Sequence, residues 1–300
     1  MIQIAFFGKG GIGKSTIASN VAASLAEKGL KVMMIGCDPK SDCTRNLRGD
    51  VEIPTISEVL REKVQASLEI DEFIYGKEIR PEEVVFEGYK GILCAETGGP
   101  EPGVGCAGRG IVIAVDLLKR IGVFDDFGPD VVIYDILGDI VCGGFGMNLR
   151  QGMADKAIIV TSSDYLSLYA ANNICRGISR YAERGGTRLG GFVYNVRGAL
   201  DDIELVREFS ERVGSKILGS IPSSNEIAES EIYGQTIIQR YPQSRVSKIF
   251  NALSERLMEG DEPVRPRPLT SSELSSLAVR IRGRTKEDFS RRKKDAERER

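Results

Sequence analysis

Residues Gly8 to Ser15 read GKGGIGKS and follow directly on the apolar run IQIAFF. The pattern G-x-x-x-x-G-K-[ST] works in one setting only. A strand must end in a glycine turn that opens a helix, so that backbone N–H groups wrap a phosphate and the helix dipole faces it. The residues downstream supply that setting. IASNVAASLAEKG has a helical pattern with Gly29 as its stop, and LKVMMIG reads as a second strand, which together make a βαβ unit. Gly8, Gly10, Gly11 and Gly13 then let the backbone approach phosphate oxygens. Lys14 should reach the β- and γ-phosphates, and Ser15, followed by Thr16, should serve Mg²⁺. A second lysine, Lys9, lies inside the loop and by position alone is a surface charge.

Further β-rich runs follow at 91–95, 130–136, 156–162, 190–196 and 215–221, with helical patterns between most of them. Strands that are apolar on both faces and alternate with helices predict an α/β fold: a doubly wound, mostly parallel sheet with helices on both faces, here a phosphate-loop NTPase. The pattern runs to about residue 258, so residues 1–258 read as one nucleotide-binding domain. Residues 259–300 begin Pro-rich at GDEPVRPRPLTSS and end in RRKKDAERER, which predicts a linker and a charged extension, partly disordered or helical.

The chain carries a formal net charge of −2. Residues 281–300 are net basic, so the body is acidic, which gives a nucleic-acid role no support. No apolar run is long enough to span a membrane, and the start does not resemble a signal peptide, so the chain reads as cytoplasmic. There is no histidine, which removes the commonest general base and metal ligand. Water activation therefore falls to carboxylates. Asp38 ends VMMIGCD and Asp135 lies in DVVIYD, both at strand ends where parallel sheets place their ligand chemistry, and Asp135 fits the Mg²⁺-supporting aspartate of phosphate-loop enzymes. Asp139, four residues on, can position the attacking water.

Six cysteines remain, and none forms a Cys-x-x-Cys pair. Cys37, Cys94 and Cys175 lie in or beside apolar runs and read as core thiols. Cys106 in GGPEPGVGCAGRG and Cys142 in DIVCGGF are bedded in glycine, where backbone N–H groups can stabilise charge on an iron–sulfur cluster. Two loop cysteines cannot fill a four-thiolate site. A two-fold dimer supplies four, and unligated thiols are the alternative that spacing leaves open. A partitioning-type positioning ATPase would explain Lys9 but not these cysteines. An iron–sulfur carrier ATPase would bring the Cys-x-x-Cys pair that is missing here.

Taken together, GKGGIGKST, GCDPKSD, GGPEPGVGCAGRG, DILGDIVCGGF and LYAANNICRG resemble the nitrogenase iron protein family, including its nitrogenase-like reductases, over residues 1 to 258. The resemblance implies a homodimer that shares one [4Fe-4S] cluster through Cys106 and Cys142. It implies an ATP-hydrolysing oxidoreductase component that takes electrons from a ferredoxin or flavodoxin and passes them to a nitrogenase-like catalytic protein. Lys9 would reach the partner subunit's phosphates, Asp38, Lys40 and Asp42 would form a first switch segment, and Asp135 to Asp139 a second. Arg109 would face the catalytic protein, and Asn195, Pro222 and Glu231 would join the nucleotide site. The chain departs from the family after Pro222, where Ser223 and Ser224 replace a usual Arg-Asp pair, and at Ala228, where a glutamine is usual. RPEEVVFEGYKG looks more like the tetrapyrrole-reducing relatives and CDPKSD with GGFG like the chlorophyllide reductase branch, whereas GPEPGVGCAGRG with LYAANNIC is most similar to nitrogenase itself. That mosaic points to a nitrogenase-like partner, such as methylthio-alkane reductase or a tetrapyrrole reductase or cyclase, with dinitrogen-fixing nitrogenase as the alternative.

Overall fold

Val32–Cys37, Val131–Ile136 and Lys156–Thr161 are buried at every position, so each of these strands has to be covered on both faces. In the computed structural model they are. It describes residues 1–38, 40–66, 79–99, 107–136, 153–198, 202–259, 262–277 and 279, without the side chains of 64–66 and 107–110. In chain order the described elements are β1 (Ile2–Gly8), α1 (Lys14–Glu27), β2 (Val32–Cys37), α2 (Arg45–Arg48), α3 (Ile56–Ala66), β3 (Phe86–Glu87), β4 (Leu93–Glu96), α4 (Ala107–Arg120), α5 (Val123–Phe127), β5 (Val131–Ile136) and β6 (Lys156–Thr161). There follow α6 (Tyr165–Ala182), β7 (Arg188–Asn195), α7 (Ile203–Val213), β8 (Ile217–Ile221), α8 (Asn225–Ile232), α9 (Ile237–Arg240) and α10 (Arg245–Met258).

The described strands form one eight-stranded sheet in the order β3-β4-β2-β5-β1-β6-β7-β8. All neighbours are parallel except the short edge strand β3, which runs antiparallel to β4. One face packs against α4, α6 and α7 through residues such as Val115, Ile174 and Phe209. The other packs against α1, α9 and α10 through Ile17, Val21, Ile237 and Phe250. After β1 the chain winds out to one edge, and after β6 to the other. The crevice at that reversal lies at the C-terminal end of β1, where the phosphate loop begins.

The Pro-rich stretch does not leave the body at residue 258 as its composition predicts. Val264 makes an antiparallel bridge to Leu189, and Leu269, Leu274 and Leu277 are buried in the core. Asn172 of α6 clamps the Leu269 backbone in both directions, its Nδ2 donating to the carbonyl at 3.0 Å and its Oδ1 accepting from the amide at 2.7 Å. Residues 262–277 are thus part of the fold. Among the described residues no helix is long and apolar enough to cross a membrane.

Candidate functional site

The chain leaves β1 at Gly8 and turns through the glycine loop into α1. Gly13, the residue before the helix, sits at φ 90°, and a Cβ there would meet Asn195 Nδ2 at 2.5 Å. Only glycine fits this turn. Asn195, at the end of β7, donates from Nδ2 to the Ile12 carbonyl at 2.7 Å, and the Arg197 guanidinium donates to the Gly11 carbonyl. The phosphate loop is therefore strapped to β7 from outside, while Thr16 donates its hydroxyl hydrogen bond to Glu231 of α8.

Around this loop opens a cleft of about 590 Å³. Lys9, Gly10, Gly11, Gly13, Lys14, Ser15, Thr16, Asp38, Asn195, Pro222 and Glu231 all line it, so eleven of the predicted nucleotide-site residues converge. Arg197, Ser223, Ser224, Ile227 and Ala228 line it too. The sequence reading missed Arg197 as a site residue, although its place two positions after Asn195 was a usable signal. Gly8 is buried at the end of β1. Lys40 and Asp42 are exposed and do not line the cleft, although the Lys40 amide donates to Asp38 Oδ1 at 3.0 Å.

Lys14 lines the cleft, and its ammonium pairs with Oδ1 of Asp135, which is buried behind it and does not itself line the cleft. The Asp135 side chain is fully buried and that of Lys14 is 9% exposed. Burial, the largest single influence, would lower the lysine's pKa, but the Asp135 charge and hydrogen bond, together with Cys43 and Asp38, outweigh it and hold the ammonium above its ordinary value. Asp135 Oδ2 is buried without a hydrogen-bond partner. A buried carboxylate oxygen left open beside a lysine and a glycine cradle is what a magnesium–triphosphate needs, so these residues fit MgATP.

Two strands from Asp135, across β2, lies a carboxyl that sequence reading also missed. Glu96 is fully buried at the end of β4 and takes two hydrogen bonds from Thr44. Desolvation pushes its pKa up to about 7 against those donors, with the Asp135 charge adding to the rise. Cys37, Cys43, Cys94 and Cys175 are free and buried, and desolvation first, then neighbouring carboxylates for the first three, raises every one of their pKa values. Such thiols hold their protons and make poor metal ligands. Among the described residues no group of three or more His, Cys, Asp or Glu could hold a metal ion. Cys106, Cys142 and Asp139 lie outside the described residues, as does the Arg109 side chain, whose backbone belongs to α4.

The sheet order and the phosphate cleft define a phosphate-loop NTPase. The solved structures it resembles have that fold. A cell division ATPase MinD from Pyrococcus furiosus matches with TM-score 0.61 and 20% identity, covering 86% of this chain and 98% of that one. A ParA family ATPase from Chlorobium tepidum TLS matches with TM-score 0.62 and 21% identity, covering 85% and 98%. At these identities the likeness concerns the fold alone.

Sequence comparison is narrower. The profile of the "4Fe-4S iron sulfur cluster binding proteins, NifH/frxC family" matches residues 2–283, so the chain belongs to that family. Nitrogenase iron protein 2 of Methanothermococcus thermolithotrophicus is 49% identical over 288 residues, covering 96% of this chain and 99% of that protein. The nitrogenase iron protein of Methanospirillum hungatei JF-1 is 47% identical over 280 residues, covering 93% and 95%. Members of the family are ATP-hydrolysing oxidoreductase components that bind a 4Fe–4S cluster and MgATP.

Proposed function

We propose that two copies of this chain form the reductase that delivers single electrons, at the expense of MgATP, to a nitrogenase-like catalytic protein. The observation that carries the reading is the buried pair of Asp135 with Lys14, a lining residue of the phosphate cleft, in a chain whose family binds a 4Fe–4S cluster. When bound, the cluster supplies a one-electron centre.

This chain's residues do the rest. Lys14 exchanges the Asp135 carboxylate for phosphate oxygens, which releases a buried carboxylate to take Mg²⁺ with Ser15 and to shift the segment from Asp135 to Asp139. Asp38, on the cleft wall, and Asp139 orient the attacking water, and Lys9 serves the partner subunit's phosphates. Lys40 and Asp42 follow Asp38 as the first switch. Asn195, Arg197, Pro222 and Glu231 frame the base side. Of the six cysteines, four are buried, protonated thiols, which supports Cys106 and Cys142 as the cluster ligands, two from each subunit. Arg109, three residues after Cys106, would face the catalytic protein. A ferredoxin or flavodoxin would be the electron source, and the setting cytoplasmic.

The likeness of RPEEVVFEGYKG to the tetrapyrrole-reducing relatives, and of CDPKSD to the chlorophyllide reductase branch, supports a nitrogenase-like partner, whereas the departures at Ser223, Ser224 and Ala228 bear on the adenine contacts. A second reading, nitrogenase proper, draws on the names of relatives at 49% and 47% identity, which do not separate the two. Anaerobic capture with the tagged chain, followed by mass identification of the retained catalytic protein, decides between them. Lys14→Ala should keep the cluster and lose ATP-driven electron delivery, whereas Cys106→Ala should lose the cluster. Normal turnover in either variant would overturn the reading.

A further inference from the structure

Glu96 is a buried carboxyl that the nucleotide chemistry does not use. Parallel register places it beside Gly36 of β2, and the same Gly36 is paired on its other side with Asp135 of β5. Gly36 has to be glycine, because a Cβ there would lie 1.9 Å from Glu96 Oε2 and 2.8 Å from Cys43 Cβ. The carboxyl thus occupies the space of the missing side chain. Its Oε1 accepts from the Thr44 backbone N–H and from Thr44 Oγ1, both at 2.7 Å, while Oε2 is buried without a partner.

Thr44 carries the contact into the loop that starts at Asp38. Its Oγ1 accepts from Arg48 Nε at 3.1 Å, and the same guanidinium reaches the Ser41 carbonyl at 3.4 Å and the Val51 carbonyl. On the strand side, Thr97 donates its amide to the Gly36 carbonyl at 2.8 Å, and its own carbonyl accepts from the Ser57 amide at 3.2 Å and hydroxyl at 2.7 Å. β4 then leads, ten residues beyond Glu96, to Cys106. One side chain therefore ties a loop whose first residue lines the cleft to the strand that feeds a cluster cysteine. Packing alone does not call for an ionisable group here, since a neutral side chain would fill the space without the desolvation cost.

We propose that Glu96 is a positioning residue that couples the loop 38–44 to the exit of β4, so that nucleotide in the cleft acts on the Cys106 segment by a route separate from the one through Asp135 to Cys142. The proposal rests on the reading of Cys106 as a cluster ligand. Its test uses the anaerobic, iron-loaded dimer and four variants. Thr44→Val removes one donor at nearly constant shape and Thr44→Ser restores it; Glu96→Ala removes the acceptor and Glu96→Gln keeps it. Three quantities are measured: iron content, MgATP affinity by equilibrium dialysis, and the change in the rate of iron removal by a ferrous chelator when MgATP is added.

Thr44→Val and Glu96→Ala should keep their iron and bind MgATP within about threefold of wild type, while the MgATP-dependent change in chelation rate shrinks about tenfold. Thr44→Ser and Glu96→Gln should recover it. If Glu96→Ala fails to fold, Thr44→Val carries the comparison. A wild-type response in Thr44→Val, or loss of MgATP affinity in step with the response, overturns the proposal. A wild-type dimer without iron, or one whose chelation rate ignores MgATP, overturns the reading beneath it as well.

Discussion

Replacing Lys14 with Gln tests the ion pair at the heart of the site. The Asp135 side chain is fully buried and Lys14 is the cation paired with it among the described residues, so the substitution leaves a carboxylate inside the protein without that counter-charge. Stranding one member of a buried pair costs about 3–5 kcal/mol. The nucleotide-free Lys14→Gln chain should lose stability on that scale, and Asp135→Asn should strand the lysine at similar cost. The double variant Lys14→Gln with Asp135→Asn places two neutral amides in the same space and should recover at least about half of the summed loss. Urea unfolding at fixed protein concentration, without nucleotide, measures all three. MgATP binding should be lost in every variant that lacks Lys14, which separates the structural effect from the binding effect. Single-variant costs below about 1 kcal/mol, or costs that simply add in the double variant, would refute the claim that the pair is buried and coupled.

Two further predictions concern Glu96 and its neighbour. The carboxyl titrates near 7 in the folded chain and near 4.5 when unfolded, so its protonated form contributes stability that is fully present below about 4.5 and is lost as pH rises through 7. From this group the native state should lose up to about 3 kcal/mol between pH 5 and 8.5. Glu96→Gln should flatten that slope in urea unfolding run at both pH values, and an unchanged slope would show that the carboxyl is not held protonated. Gly36→Ala should destabilise the chain by about 1–3 kcal/mol or more, because its methyl must displace the Glu96 carboxyl. A thermal melt unchanged from wild type would contradict the register that brings the two together.

Much of this architecture could be read in the residues, for identifiable reasons. The phosphate loop was legible because glycine, lysine and helix start have to occur together for the chemistry to work. The long strands were legible because burial on both faces leaves continuous apolar runs. β3, only Phe86–Glu87, is too short to show any period. The docking of 262–277 escaped because Val264, Leu269 and Leu274 fall five residues apart, which is neither helical nor strand spacing, only Leu274 and Leu277 keep a helical step of three, and what holds Leu269 is Asn172, nearly a hundred residues earlier. Glu96 escaped for the same kind of reason. A glutamate beside Thr97 and two glycines looks like a surface loop residue, and only the register with Gly36 shows that it is enclosed.

The stoichiometry of iron and chains tests the shared cluster most directly. Native mass spectrometry of the anaerobically prepared protein should show a dimer carrying a single 4Fe–4S unit, and Cys106→Ala should give a dimer or monomer without it. A monomer that holds a whole cluster, or a wild-type dimer with no iron, would contradict it.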